Sequence, residues 1–150
     1  MEKEILKIGV VGFSAPHFND SEARHILSTI LNDILNHKAR TCVELVSGYT
    51  NTGIPKIAYE LASELGLKTV GFSAKQALTV KCGTYPVDKA IVFGKRFGDE
   101  SEAFINYIDV LIRVGGGPQS RTEVELFKQK NNNQNLSTIL FEEEITWLGK

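Results

Sequence analysis

The chain has 150 residues, 42% of them apolar, with 13 glycines and 17 basic against 18 acidic side chains. Its length is that of one domain, which commonly runs to about 100–200 residues, and is enough to bury most of the unfolded surface in a single core. The net charge of -1 excludes the basic excess that nucleic-acid binding requires, and the balanced, apolar-rich composition excludes a disordered chain.

In chain order, Lys7-Ile8-Gly9-Val10-Val11-Gly12-Phe13 reads as a buried strand ending in a small-residue turn. Ile26, Leu27, Ile30, Leu31, Ile34 and Leu35 then recur at helical spacing after an Asn19-Asp20-Ser21 start signal. Residues 42–46 form a second strand running into Ser47-Gly48. A second helix carries Ile54, Ile57, Ala58, Leu61, Ala62 and Leu65, with Pro55 in its first turn, where a missing N–H costs nothing, and Gly66 as its stop. Strands follow at 69–72 and 90–93, then a short helix over 99–107 with Asp99 and Glu102 as a cap pair. The fifth strand, 109–114, breaks at Gly115-Gly116-Gly117-Pro118. A helix to Lys130, a polar turn over 131–135 and a last strand over 137–141 complete the chain.

Continuous apolar strands alternating with helices predict a mainly parallel sheet covered on both faces, a doubly wound, three-layer α/β/α single domain over 1–150. No apolar run approaches the ~18–20 residues that span a bilayer. The acidic start, Met1-Glu2-Lys3-Glu4, is not a signal peptide. Cys42 and Cys82 lack metal-ligand spacing and suit a reducing cytoplasm. His17, His25 and His37 share no ligand spacing either, so neither a metal nor a cofactor is expected.

In open α/β sheets ligands bind at the carboxyl ends of the strands, where the strand order reverses. Three such ends carry glycine or small polar residues: Gly12 with Ser14; Ser47, Gly48, Tyr49, Thr50, Asn51, Thr52 and Gly53; and Gly115, Gly116, Gly117, Gln119 and Ser120. The last two open helices, whose unpaired N–H groups favour a phosphate, although turns need glycine whatever they bind. Ser73 ends the third strand, and Asp109 opens the fifth; each either contacts a ligand or finishes a turn. Tyr49 suits stacking on a base or packing on the second helix. Neither a G-x-G-x-x-G nor a nucleotide-triphosphatase loop is present.

The stretch from Gly48 to Gly53, with Gly116-Gly117 and Glu123 after an apolar strand led by Asp109, resembles the Lonely Guy (LOG) or "lysine decarboxylase-like" (SLOG) superfamily. These are Rossmann-like nucleotide-binding proteins, including cytokinin-activating phosphoribohydrolases, a molybdenum-cofactor carrier and nucleotide-sensing domains. In the signature P-G-G-x-G-T-x-x-E, Gly116 and Gly117 match the glycine pair and Glu123 the catalytic glutamate, while Gln119-Ser120 replaces Gly-Thr. The resemblance implies a dimer or higher homo-oligomer. In the register set by Asp109, the arginine–lysine pair of the active hydrolases falls on Glu100-Ser101, which reverses the arginine's charge. Arg96 and Arg121 lie near but out of register.

Glu123, three residues after Ser120, reads equally as part of a capping box or as a ligand contact. Arg121 opposes the helix dipole in a first turn, which a bound phosphate would compensate; the alternative is an arginine turned outward. Five cations against Asp88 over residues 75–96 either steer an anion or form a solvated segment. Glu142-Glu143-Glu144 reads as a solvated end, with Trp147 over the core or a subunit contact. The leading expectation is a binder of a nucleotide or phosphorylated ribose derivative without efficient catalysis. The alternatives are a nucleoside 5′-monophosphate phosphoribohydrolase using Glu123 with Arg96 or Arg121, and an interaction module without a ligand.

Overall fold

The computed structural model describes residues 5–37, 42–48, 52–73, 86–92, 94–95 and 99–149. They form six strands and four α-helices: β1 (Ile5–Gly12), α1 (Asp20–His37), β2 (Cys42–Ser47), α2 (Gly53–Leu65), β3 (Lys68–Ser73), β4 (Lys89–Val92), α3 (Ser101–Tyr107), β5 (Val110–Val114), α4 (Pro118–Lys130) and β6 (Leu140–Glu143). The sheet has the order β4-β3-β2-β1-β5-β6, and every pairing is parallel. From β1 to β4 the chain advances in one direction, then crosses back to lay β5 on the other side of β1. Right-handed crossovers in opposite directions put their helices on opposite faces. Accordingly α1 packs on α2, and α3 packs on α4. The expected three-layer α/β/α architecture is the one observed.

Ile8, Val10, Leu45, Val46, Leu111 and Ile112 in the three central strands are fully buried, as a sheet covered on both faces requires. Local signals set the helix ends. Asn19 Oδ1 accepts the Glu22 N–H at 2.9 Å and opens α1. Gly66, at φ 73°, closes α2, with the Leu67 N–H reaching Ala62 O at 2.8 Å. Before β4, Asp88 Oδ2 accepts both the N–H (2.8 Å) and the hydroxyl (3.1 Å) of Thr69, latching β4 to β3.

Three local expectations are corrected. The last strand begins at Leu140 rather than Ser137, because Asn135 Oδ1 accepts the Ser137 N–H and hydroxyl and winds Leu136–Thr138 into a 3-10 turn. Asp99 and Glu102 do not pair as a cap: Glu100 holds the cap position of α3, and Asp99 Oδ2 accepts the Lys95 N–H at 3.0 Å. The acidic end is not simply solvated. Arg113, on β5 and 4% exposed, donates to Glu142 Oε1 (2.8 Å), Glu144 Oε2 (2.7 Å) and the Gly115 carbonyl (2.9 Å). Beyond this, Trp147 packs tilted against Phe13, with ring centroids 4.7 Å apart, and the Leu148 N–H reaches His17 O at 2.6 Å. No helix among the described residues is long and apolar enough to cross a membrane.

Candidate functional site

Strand order reverses at β1, so the seam between β1 and β5 is the crevice where a ligand is expected in such a sheet. Gly12 pairs with Val114 at its carboxyl edge. Past Val114, Gly115 and Gly116 take φ 61° and 107°, a left-handed course that side-chain-bearing residues avoid, and this swings the chain into α4. A Cβ on Gly116 would lie 2.7 Å from Ser120 Oγ, whose hydroxyl donates to the Gly12 carbonyl at 3.2 Å. Opposite, Gly53 (φ 64°) starts α2 against the Phe13-Ser14 turn, and the Ile54 N–H donates to Phe13 O at 2.8 Å. Close approach of backbone at Gly53 and of the Ser120 side chain at Gly116 is thus the first demand on these glycines.

The turns enclose a cavity of ≈ 480 Å³ at the carboxyl edge of β1, β2 and β3. Of the candidates, Gly12, Ser14, Ser47, Gly48, Thr52, Gly117, Gln119, Ser120 and Glu123 line it together. Gly53, Gly115 and Gly116 shape the turns behind that lining. Ser73 ends β3 at the same edge. Tyr49, Thr50, Asn51 and Arg96 lie outside the described residues, as do Lys75 and Lys81 of the basic segment. Asp109 is not brought to the site: it precedes β5 at the amino edge, where its Oδ2 accepts the Lys7 N–H at 3.0 Å. Arg121 also points elsewhere, toward Glu144 (3.0 Å), so a carboxylate of this chain offsets its unfavourable place near the start of α4. Together with Arg113, Arg121 holds the Glu144 carboxyl down at about 2.

The two helix starts differ as anion sites. On α2, Pro55 has no N–H and the Ile54 N–H is already taken, leaving Gly53 as the donor of the first turn. On α4 the first intrahelical bond runs from the Arg121 N–H to Gly117 O at 3.3 Å, so the N–H groups of Gln119 and Ser120 precede it. These two N–H groups form the stronger anion seat, the Ser120 hydroxyl being given to the Gly12 carbonyl.

Ser120 and Glu123 are not a capping box, since Gly117 holds the cap position and the carboxylate of Glu123 turns into the cavity. Glu123 is 5% exposed and accepts the Ser101 hydroxyl at 2.9 Å. Burial pushes its carboxyl up to about 7; the nearby Glu100 charge adds to this, and hydrogen bonds from Ser101 and Gln119 oppose it. Near neutrality it can therefore hold or release a proton. Glu100, equally buried, lines the same cavity and accepts from Gln119 Nε2 at 3.0 Å. Among the described lining residues these two carboxylates are the only charged groups. Ser47 is committed to the sheet, its hydroxyl donating to Val10 O at 2.6 Å.

Sequence reading placed Glu100 only by register and missed Val10, Val11, Pro55, Phe72, Phe104 and Pro118 in the lining. The aromatic pair had no local signal to set it apart from core residues: Phe72 stands one residue before the end of β3, and Phe104 one turn into α3 beside Ile105. Their rings meet edge to face at 5.9 Å. Among the described residues no group of three or more histidine, cysteine or acidic side chains could hold a metal ion.

Fold and cavity define a Rossmann-like α/β protein with a small-molecule-sized crevice at its topological switch point. Among solved structures it is similar to the molybdenum cofactor binding protein from the phototrophic bacterium Rippkaea orientalis, at 20% identity over 96% of this chain and 78% of that one, with a TM-score of 0.63. It is similar also to the molybdenum cofactor carrier protein from Chlamydomonas reinhardtii, at 20% identity over 93% and 89%, with a TM-score of 0.62. The structural-genomics target TM1055 superposes at a TM-score of 0.65, with 16% identity over 93% and 91%. At such identities the likeness is one of fold. No family model and no curated protein matches the sequence.

Proposed function

We propose that this chain is a divergent LOG-like protein, one domain over its 150 residues, that holds a nucleotide or phosphorylated ribose derivative in the switch-point cavity without hydrolysing it efficiently. The observation that carries this reading is the pairing of the Gln119 and Ser120 N–H groups at the start of α4 with a Glu100 carboxylate where the resemblance calls for a cation. The N–H groups offer a seat for phosphate. The carboxylate opposes, rather than assists, negative charge developing on a leaving group. That two neighbours are named for binding or carrying a molybdenum cofactor supports a holding role over a chemical one. As the resemblance implies, the protein acts as a homo-oligomer, which sedimentation velocity tests, and, as its two cysteines outside any pairing motif suit, it acts in the cytoplasm.

One observation favours a second reading. A Glu123 carboxyl near 7 is suited to moving a proton, as a phosphoribohydrolase would need. Proton NMR with AMP separates the two by following saturation transfer and free adenine together. Transfer without adenine over a day is the expected result. Adenine release that Glu123→Ala abolishes would establish the hydrolase instead, and silence in both channels would refute binding of AMP.

A further inference from the structure

The cavity places an ionisable carboxyl beside its own anion seat. Gln119 and Ser120 present their N–H groups at the start of α4, and Glu123 follows them by four and three residues on the same helix. Residues so spaced share a helix face, and helical side chains lean toward the amino end, which carries the Glu123 carboxyl toward the seat. The Ser101 hydroxyl holds it there from α3 at 2.9 Å, and the Gln119 side chain hydrogen-bonds to it as well. Glu123 is buried, so water does little to screen it from a charge in the cavity. Glu100 faces it from the turn before α3 and adds like charge. The described lining residues from β1, β2, β3 and α2 carry no titratable side chain. Of the nearby arginines, Arg121 on α4 is turned to Glu144, and Arg113 on β5 to Glu142 and Glu144. A phosphate on the seat therefore brings further negative charge to a buried carboxyl, and like charge favours the protonated form.

We propose that the site is proton-coupled: seating the ligand's phosphate at the start of α4 and protonating the Glu123 carboxyl are one linked event, so the cavity takes up a proton as the anion enters. This rests on the nucleotide-binding reading above. The proton comes from the solvent and returns to it when the ligand leaves, and no bond of the ligand is broken. With the carboxyl at about 7 in the unliganded protein, the coupling acts near neutrality. Below that value the proton is already in place and the phosphate enters freely. Above it, binding must first recharge Glu123 with a proton, and affinity falls as pH rises.

Isothermal titration calorimetry of AMP at pH 7.5, in two buffers of different ionisation enthalpy, counts the protons taken up. A charge brought beside a carboxyl changes its proton affinity by about tenfold or more. From a starting value of about 7, that change means uptake of about half a proton or more per AMP, and a Kd that weakens about fourfold or more between pH 7 and 8.5. A phosphate monoester loses its second proton at about 6, below this range. Glu123→Gln keeps an oxygen for the Ser101 hydroxyl but cannot ionise; its uptake should fall to about a tenth of a proton or less, with a flat Kd. AMP binding without uptake, with proton release, or with undiminished uptake in the variant would overturn the coupling and leave nucleotide binding standing. Should the variant fail to fold, the carbon-13 resonance of the Glu123 carboxyl in the wild type decides. Its titration midpoint should rise when AMP is added, and an unmoved or lowered midpoint overturns the proposal. If AMP does not bind, the nucleotide reading itself fails and takes the coupling with it.

Discussion

Replacing Glu123 by glutamine removes one ionisable group from the cavity and leaves an amide oxygen for the Ser101 hydroxyl. Its effect can be worked from the shift in the carboxyl, which rises from 4.5 in the unfolded chain to about 7 in the folded one. Between those values the native protein keeps the proton that the unfolded chain has lost, so stability is full below 4.5 and falls as pH rises through 7. Each tenfold change in a proton equilibrium corresponds to about 1.4 kcal/mol, which makes the whole effect about 3 kcal/mol and the part between pH 5 and 8 about 2–3 kcal/mol. Glu144 titrates in the opposite sense and at lower pH, since its carboxyl is held at about 2 and its contribution disappears only as pH falls below 4.5. Urea unfolding of wild type and Glu123→Gln at half-unit steps from pH 5 to 8 should show the wild type losing stability with a slope the variant lacks. At pH 8 the variant should be the more stable of the two. Parallel profiles across that range would refute the argument that burial beside Glu100 strains the ionised form.

Gly12→Ala should destabilise by about 1–3 kcal/mol, because the added methyl would overlap the Val114 carbonyl and lie 2.7 Å from Ile54 Cγ1. Urea unfolding that leaves the midpoint unmoved would contradict such close packing at the seam. Arg113→Met should cost about 2 kcal/mol at pH 7, a loss of charged hydrogen bonds partly offset as the half-exposed Glu142 and Glu144 return to water. The deficit should narrow as pH falls toward 2 and Glu144 protonates, and a deficit that persists unchanged would point to lost packing alone.

The strands were legible because five of the six are apolar runs between unmistakable breakers, and a doubly wound sheet buries such runs on both faces. Gly66, Pro55 and Asn19 perform the roles their chemistry predicts. What the sequence concealed was competition between partners. Asn135 wins Ser137 from the last strand, Lys95 takes the Asp99 carboxylate from a cap, and Glu144 takes Arg121 from any phosphate. Each choice depends on which group lies nearest in space, and periodicity carries no record of that. The polar half of the cavity was readable from glycines and hydroxyls at strand ends. Its apolar half was not, since Phe72 and Phe104 look like ordinary core residues until α3 is laid across the end of β3. Arg113 was hidden for a similar reason, as its neighbours on β5 are all aliphatic.

The strand order also sets which lengths of chain the cavity joins. β1 finds β2 nearby in the chain, but its other neighbour, β5, arrives only after β3 and β4 have been made: Ile8 pairs with Val110. The entropic cost of joining partners so distant grows only slowly with the length of the loop, but non-local pairings of this kind slow folding. The β1–β5 seam therefore joins two distant lengths of chain, and the cavity walls come from both sides of it, Gly12 and Ser47 from the N-terminal part and Gln119 and Glu123 from the C-terminal part. A molecule that fills the cavity clasps the two halves together and raises the cost of reopening the seam. Its arrival would register in amide exchange as slowing across β5 and α4, elements remote in sequence from the glycines of α2.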